Sequence, residues 1–289
     1  MIYDRKSKKY INEKTNSALS FLYNNLIGRF FLFILTRRWV SKLGAIYLRS
    51  PLSKGRIKKM IKKHKIDLSD YEISKYKSFN EFFMRRKKTP LKGINKNENI
   101  LLAPADSRLT VYKIDDETCL NIKNSKYTVE ELLQDSSLAQ KYQGGYCLVY
   151  RLCVDDYHHY YYIDDAKVIS KKKINGVLHT VQPIAFKKHK VFVENAREYN
   201  VLESKNFGTI IQMEVGALLV GKICNEDLKK VKRGDEKGHF EFGGSTVVLM
   251  IEKDKVVIDK DILENSAKDI ETKVSLFDSV GRKMWCYDI

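Results

Sequence analysis

The sequence of 289 residues has little proline and no paired cysteine motif. Only four prolines and fifteen glycines occur, which argues against a disordered or fibrous chain. The cysteines are odd in number and form no Cys-x-x-Cys pair, which indicates buried thiols in a reducing compartment and neither a disulfide framework nor a metal site. They are Cys119, Cys147, Cys153, Cys224 and Cys286.

Several common active-site motifs are also missing. The chain has no glycine-rich phosphate loop, no His-Glu-x-x-His pair and no Gly-x-Ser-x-Gly frame around Ser245. These absences give no support to a nucleotide-binding loop, a zinc-protease helix or a hydrolase nucleophile elbow. No internal repeat or low-complexity segment is visible either.

The sequence has no long uninterrupted apolar run. The most apolar stretch, residues 17–36, is broken by Asn24, Asn25 and Arg29, whereas a spanning helix needs about 20 mostly apolar residues. No signal-peptide pattern precedes it. The cations and tryptophan that follow at 37–39 favour a helix lying on a membrane. An amphipathic helix packed on the protein body fits the same pattern.

Acidic residues are scarce in the first third of the chain. The formal charge is +17, and residues 1–100 hold 25 Lys and Arg against 7 Asp and Glu, while the remainder holds 28 against 29. A basic region of this kind predicts an anionic partner, either nucleic acid or an anionic lipid surface. A solvated lysine-rich face is the alternative.

Hydrophobic periodicity divides the chain into two regions and predicts the α+β class. Helices are expected from residue 1 to about 90, with Ser78 capping a helix that carries Phe79, Phe82 and Phe83 on one face. From Leu101 onward, short strands dominate. The expected strands are 101–114, 145–154, 158–163, 166–181, 190–195, 198–204, 208–223 and 245–253, with one helix at 127–135.

Three polar residues end or begin expected strands and form the candidate site. Asp106 lies in LLAPADSR, His158 in DDYHHYYYIDD, and Ser245 follows the pair Gly243-Gly244. A carboxylate, an imidazole and a hydroxyl are the components of a charge-relay set, which is recognised by geometry and not by chain order. A turn carboxylate, a buried histidine and a strand serine after a tight turn are the structural alternatives.

Six segments follow a basic, apolar N-terminus and cover about residues 15 to 250. They are SFNEFFMRR, APADSRL, RLCVDDYHHY, HTVQPIAF, ENAREYNVLESKNFGTIIQMEVGALLVGKI and KGHFEFGGSTVVL. Together with the N-terminus they are seven features in the order of one family, and the chain resembles the phosphatidylserine decarboxylases.

The resemblance implies a proenzyme that cuts itself between Gly244 and Ser245. The products are a β chain of residues 1–244 and an α chain of residues 245–289, and Ser245 becomes a pyruvoyl group, the covalent cofactor. The implied fold is a β-rich, barrel-sandwich-like core (residues 91–289) behind a basic, membrane-associated helical layer (residues 1–90). No metal and no nucleic acid are expected.

The implied reaction converts phosphatidylserine to phosphatidylethanolamine. His158, oriented by Asp106, removes the Ser245 proton so that the oxygen attacks the Gly244 carbonyl, and glycine leaves that approach open. The pyruvoyl ketone then forms a Schiff base with the substrate amine and accepts electrons on decarboxylation, and His158 reprotonates the carbon. The expected location is the cytoplasmic face of an anionic membrane, with a homodimer left open.

One position departs from the family pattern. Many members have a second histidine three residues after the first, where this chain has Tyr161. A tyrosine is a poor base at neutral pH, so either His158 acts alone or His159 or His179 takes the second role. Two rival functions remain: a soluble pyruvoyl-dependent amino-acid decarboxylase, and a basic RNA-binding module in which the tyrosines stack on bases.

Overall fold

The structure is a computed structural model that describes residues 1–12, 17–72, 75–115, 117–122, 125–186, 188–218, 222–242 and 245–285. Gly243, Gly244 and Cys286 therefore lie outside the described residues. The helices are α1 (Ser17–Asn24), α2 (Leu26–Leu35), α3 (Arg38–Arg49), α4 (Gly55–His64), α5 (Phe79–Phe83), α6 (Val129–Leu133), α7 (Ser136–Gln140), α8 (Pro183–Phe186), α9 (Val191–Glu194) and α10 (Lys260–Ala267). A 3-10 turn at Pro51–Lys54 joins α3 to α4.

The strands are more numerous than the helices. They are β1 (Ile2–Asp4), β2 (Lys9–Ile11), β3 (Ile100–Leu102), β4 (Ser107–Lys113), β5 (Cys119–Ile122), β6 (Ser125–Thr128), β7 (Tyr146–Leu152), β8 (His159–Tyr161), β9 (Ala166–Ile174), β10 (Arg197–Ser204), β11 (Gly208–Val215), β12 (Ile223–Asn225), β13 (Lys230–Val231), β14 (Glu236–Phe240), β15 (Ser245–Ile251), β16 (Val256–Ile258), β17 (Glu271–Val274) and β18 (Ser279–Lys283).

A ten-stranded sheet forms the centre of the protein. Its order is β13-β9-β10-β11-β15-β7-β4-β17-β1-β2, and smaller sheets are formed by β12-β14-β8, β16-β18-β3 and β5-β6. All pairs in the large sheet are antiparallel except β1 with β17. The α+β prediction is confirmed. Across the described residues the large sheet does not close into a barrel.

Strand β15 lies in the middle of this sheet and is buried along its whole length. It pairs with β11 on one side and β7 on the other, and all seven residues from Ser245 to Ile251 are buried. A strand covered on both faces is apolar without alternation, which explains the run Val-Val-Leu-Met-Ile. The serine at its first position is therefore placed inside the core.

The N-terminal helices form a separate layer with its own small core. Leu48 of α3, Tyr76, Phe79 and Phe82 are its buried residues, and side chains of α4 pack against them. The predicted cap is confirmed because the Ser78 side chain accepts a hydrogen bond from the Glu81 backbone N–H. The helical periodicity of this region was thus interpreted correctly.

Residues 1–12 and residues 190–195 differ in type from the expected secondary structure, and the expected strands 166–181 and 208–223 end early, at Ile174 and Val215. Residues 1–12 contain β1 and β2 and not a helix, because β1 extends the large sheet beside β17. Residues 190–195 were expected to be a strand, but Val191–Glu194 form the one-turn helix α9. There the Lys190 N–H donates to the Glu194 carboxylate at 2.9 Å, while Val191 and Phe192 are buried. Tertiary burial outweighs the strand preference of the two valines.

Helices α1 and α2 meet at a sharp bend. The axes differ by 101°, and only the two helices together reach the length and hydropathy of a membrane span; no single helix of the described chain does. The Asn25 side chain caps α2 by accepting from Ile27 N–H. Gly28 permits the close contact, since a Cβ there would lie 2.2 Å from the Phe21 carbonyl oxygen.

Candidate active site

Ser245 begins β15 directly after the two glycines outside the described residues. It pairs with Leu152 of β7, and its side chain is fully buried. The hydroxyl oxygen has no hydrogen-bond partner among the described residues. A buried hydroxyl without a partner costs free energy.

His158 also presents an unpartnered polar atom. Its ring is fully buried and lies against Phe83, with ring centroids 3.8 Å apart. The Nδ1 atom is 2.9 Å from the Asp156 carbonyl oxygen. Because a carbonyl only accepts, Nδ1 carries the proton, and in the neutral ring Nε2 is the free lone pair. That Nε2 has no partner in the described part of the chain.

The surroundings of His158 keep the ring neutral. Burial, followed by the nearby Arg85 guanidinium, lowers the pKa of His158 well below its ordinary value. Arg85 donates to the carbonyl oxygens of Asp155 and Asp156 at 2.7 and 3.0 Å. A neutral imidazole with a lone pair that accepts no hydrogen bond is the form that a general base requires.

The turn before His158 is fixed by a second set of charges. The Asp156 carboxylate accepts hydrogen bonds from Arg108 and, at 2.7 Å, from the Cys153 N–H. Burial raises the pKa of Asp156 to about 6, although Arg108 opposes the rise. These contacts hold the Asp156 carbonyl in the position where it orients the imidazole.

Asp106 lies in a neighbouring cavity and is not hydrogen-bonded to His158. Its carboxylate accepts from the Leu276 N–H at 2.7 Å and from Lys87 Nζ at 3.1 Å. The cavity has a volume of about 320 Å³ and is also lined by Asp155, Asp156 and Tyr157. The prediction that Asp106 orients His158 is therefore wrong, because the Asp156 carbonyl makes that contact. The catalytic role of Asp106 stays a prediction.

Comparisons with known proteins assign the chain to a family. A model of the family described as phosphatidylserine decarboxylase matches residues 79–275. The phosphatidylserine decarboxylase proenzyme 2 of Clostridium acetobutylicum is 49% identical over 284 residues, covering 97% of each chain. Proenzymes of the same description from Clostridium tetani, at 40% identity, and Fusobacterium nucleatum, at 38%, match over 97% of this chain and 97% and 96% of their own. This chain belongs to the phosphatidylserine decarboxylase family.

Membership in the phosphatidylserine decarboxylase family confirms the predicted enzyme class. The chain is a carboxy-lyase proenzyme of phospholipid synthesis, and the family reaction is the conversion of phosphatidylserine to phosphatidylethanolamine. The residue roles, and the prediction that Gly244 precedes the cut bond, are not decided by this similarity. Gly244 itself lies outside the described residues.

The tyrosine at the family's second histidine position makes a phenol pair. The Tyr161 hydroxyl lies 3.0 Å from that of Tyr157. Burial raises the pKa of Tyr161 to about 12, so the hydroxyl stays protonated and is a poor base. The nearby Asp106 charge also raises the pKa of Tyr161. The tyrosine hydroxyl can therefore form hydrogen bonds, but it does not titrate near neutral pH.

The two alternative histidines lie in other environments. His159 has both ring nitrogens next to acceptors, Glu236 at 2.8 Å and the Met84 carbonyl at 3.1 Å, and so offers no free lone pair. His179 contacts the Tyr23 hydroxyl of α1 at 3.2 Å. Of the three histidines considered, His158 alone combines burial with an unpartnered nitrogen.

An aromatic cluster beside the site was not among the predicted site residues. Phe83 contacts both His158 and Phe242, with ring centroids 3.8 and 5.2 Å apart. Phe242 ends the described segment before the two glycines, and its N–H donates to Asn80 Oδ1 at 3.1 Å. The motif SFNEFFMRR supplied the signal, since Asn80, Phe83 and Arg85 all come from it.

A cavity of about 500 Å³ opens beside Phe242. It is bordered by helix α3 and by cationic side chains. Two of these cations, Arg49 and Lys222, form ion pairs with Glu241. The lining is Ser41, Lys42, Ala45, Ile46, Arg49, Asn80, Lys222, Glu241 and Phe242.

Proposed function

We propose that this chain matures by self-cleavage between Gly244 and Ser245 and then decarboxylates phosphatidylserine. The observations that carry the proposal are that Ser245 Oγ and His158 Nε2 are both buried and unpartnered among the described residues, and that Phe83 packs against both His158 and Phe242, the last described residue before the glycine pair. The Ser245 hydroxyl needs a proton acceptor, and His158 Nε2 carries a free lone pair. An activated hydroxyl next to a base is the general arrangement for nucleophilic attack.

The proposed cleavage assigns a task to each residue. His158 Nε2 takes the Ser245 hydroxyl proton, and Oγ attacks the Gly244 carbonyl, forming an ester as the amide C–N bond breaks and the nitrogen takes up a proton. Removal of the Ser245 α-proton then breaks the Cβ–O bond, which releases Gly244 as a carboxylate and leaves dehydroalanine. Water converts this group to pyruvoyl with loss of ammonia.

The residues present fit the pyruvoyl group. Ser245 lies in a closed, largely apolar position, and the orphaned lone pair of His158 supplies a polar partner. The group serves as an electron sink for the carboxylate-bearing carbon. His158 holds a proton at Nε2 for return to that carbon, and Phe83 excludes water from the imidazole face.

The proposed α chain remains part of the fold after cleavage. Strand β15 lies between β11 and β7, and β17 lies between β1 and β4, so described strands of the α chain are interleaved with strands of the β chain. Arg5 also pairs with Asp259 at 2.9 Å and Asp261 at 2.8 Å. The two chains therefore stay associated without a covalent link.

The apolar face of α2, α3 and the following turn is the proposed membrane surface. Leu26, Phe30, Ile46 and Leu52 are 80%, 65%, 65% and 82% exposed, and a patch of this kind indicates an interaction site. Further exposed members are Ile27, Phe31, Phe33, Trp39, Leu43 and Tyr47. The lysines of residues 54–65 attract an anionic leaflet, and each contributes about 1 kcal/mol. Since the α3 cavity opens between this face and Phe242, lipid docking there brings the headgroup towards the site.

Cleavage is tested by denaturing electrophoresis and mass spectrometry. The full chain should give two bands, the smaller of 45 residues beginning at position 245 with a carbonyl end group. Ser245→Ala should remain a single chain, while Ser279→Ala, a serine of the same segment outside the site, should process normally. Splitting of the Ser245→Ala chain into the same two bands would mean that a protease makes the cut.

Membrane docking is tested by vesicle sedimentation. Deletion of the first 50 residues is unsuitable because it removes β1 and β2 from the sheet. Phe30→Ser with Phe33→Ser should weaken binding to phosphatidylserine vesicles at least about tenfold, since a buried phenylalanine contributes about 1.5–3 kcal/mol. Leu91→Ser, exposed outside this face, is the control. Equal activity losses on vesicles and on a short-chain soluble substrate would contradict docking and mean that these helices serve only as part of the fold's core.

A further inference from the structure

A second cluster of titratable side chains lies at the contact between α1 and the protein body. It consists of His179, His189 on the loop after α8, and Glu194 at the end of α9. One nitrogen or oxygen from each lies within 4.8 Å of the others. The Glu194 Oε2 atom is 3.4 Å from His179 Nε2 and 3.2 Å from His189 Nδ1.

These distances match the separation of two ligands on one metal ion. The His189–Glu194 contact also has hydrogen-bond length, whereas the His179–Glu194 contact is longer than the usual range of about 2.7–3.2 Å. A tetrahedral ion with bonds of about 2.0–2.1 Å separates its ligands by roughly 3.3–3.5 Å. Two of the three distances between donor atoms of the cluster, 3.4 and 3.2 Å, are close to this value. The two imidazoles are stacked with centroids 3.9 Å apart and planes 24° apart, so one ring must turn for both in-plane lone pairs to meet at one ion.

Each ligand also has support from a neighbour. The Tyr23 hydroxyl contacts His179 Nδ1 at 3.2 Å and accepts from the Thr180 N–H at 3.1 Å. The other oxygen of Glu194 accepts from the Lys190 N–H at 2.9 Å. Outer partners of this kind orient metal ligands.

The cluster is open to solvent on one side. It forms part of the wall of a cavity of about 770 Å³ that is otherwise lined mainly by α2. An ion can therefore enter, and a fourth position faces the cavity. The comparable group of His159, Glu236 and His239 is less suitable, because Glu236 is also paired with Arg86 at 3.1 Å.

We propose that His179, His189 and Glu194 bind a divalent transition-metal ion of the Zn²⁺ type. Two imidazoles and one carboxylate form a donor set that such ions accept, with the fourth position left to water. The ion takes no part in the reaction at Ser245. It ties α9 and the His189 loop to α1 through His179 and Tyr23, next to the apolar face of α2.

The test is a Zn²⁺ titration of the full-length protein after removal of metal with a chelator. Competition with a chromogenic chelator should show one tight site per chain. His189→Gln and Glu194→Gln should each weaken that site by more than about a hundredfold, because loss of an outer partner alone costs about 10–100-fold. Tyr23→Phe should weaken it within that smaller range. His239→Gln and His64→Gln should leave the affinity unchanged.

The outcomes separate this site from the alternatives. Absence of tight binding in the unmodified chain, or unchanged affinity in His189→Gln, overturns the proposal. Loss of binding in His239→Gln alone assigns the ion to the other cluster and also overturns it. If a variant fails to fold, the Co²⁺ spectrum of the unmodified protein decides: a thiolate charge-transfer band refutes the assignment, whereas a tetrahedral spectrum without that band supports it.

Discussion

Replacement of Glu271 by Gln should destabilise the protein strongly, because Glu271 neutralises a buried arginine. Arg151 of β7 donates from Nε to Glu271 Oε1 at 2.9 Å and from a terminal nitrogen to Oε2 at 2.6 Å. Their side chains are only 4% and 8% exposed. The pair joins residues on either side of the proposed cleavage point, so it also joins the two mature chains.

The size of the effect follows from this burial. Glutamine keeps the shape of the side chain but removes the charge, and the Arg151 cation stays within the core. Breaking a buried pair from one side costs about 3–5 kcal/mol. For a chain of this size each kcal/mol corresponds to about 2–4 °C, so the midpoint should fall by roughly 6–20 °C.

The fall in the unfolding midpoint is measured by thermal unfolding in a Ser245→Ala background, where the proposed cleavage does not split the chain. Glu264→Gln is the matched control, because its partner Lys260 is 3.7 Å away and both side chains are exposed. That change should cost less than about 1 kcal/mol. Equal midpoints for the Glu271 and Glu264 variants would refute the argument that this ion pair is shielded from solvent.

Three further predictions concern the base, the cavity and the helix bend. The processing rate of freshly translated proenzyme should stay flat from pH 8 to pH 6, because the pKa of His158 lies well below the ordinary value of 6.5; a decline centred near 6.5 would contradict this. The same shift contributes stability that is full above pH 6.5 and lost as the pH falls, since the unfolded histidine then binds the extra proton. Asp106→Asn should slow processing in a gel time course, because Lys87 loses its anionic partner; a normal rate would remove Asp106 from the site. Gly28→Ala should lower the unfolding midpoint by the equivalent of about 1–3 kcal/mol, whereas Gly55→Ala, which has open space around it, should not.

The candidate site was only partly predictable from the chain. Ser245 and His158 were identified from motifs, and both are buried with an unpartnered polar atom. The Asp156 carbonyl that orients His158 was not identified, because a backbone oxygen carries no sequence signal. Asp106 was expected to contact His158, but the structure pairs it with Lys87, 19 residues earlier in the sequence.

Local patterns account for what the sequence determined by itself. The apolar run of β15, the Ser78 cap and the apolar face of α2 each arise from residues close together in the chain. Such features are set by periodicity, capping and side-chain polarity. The ordered family motifs are of the same kind, which is why they identified the enzyme class before any geometry was known.

Long-range pairing decided the rest. Only the folded chain places β15 between β7 and β11, sets Glu271 against Arg151, and brings His179, His189 and Glu194 together. Partners this far apart are chosen by sheet register and by burial of the whole core, and neither is encoded in a short window of sequence. Residues 190–195 show the same limit: their valines favour a strand, but burial of Val191 and Phe192 and the Lys190–Glu194 hydrogen bond fix a helical turn.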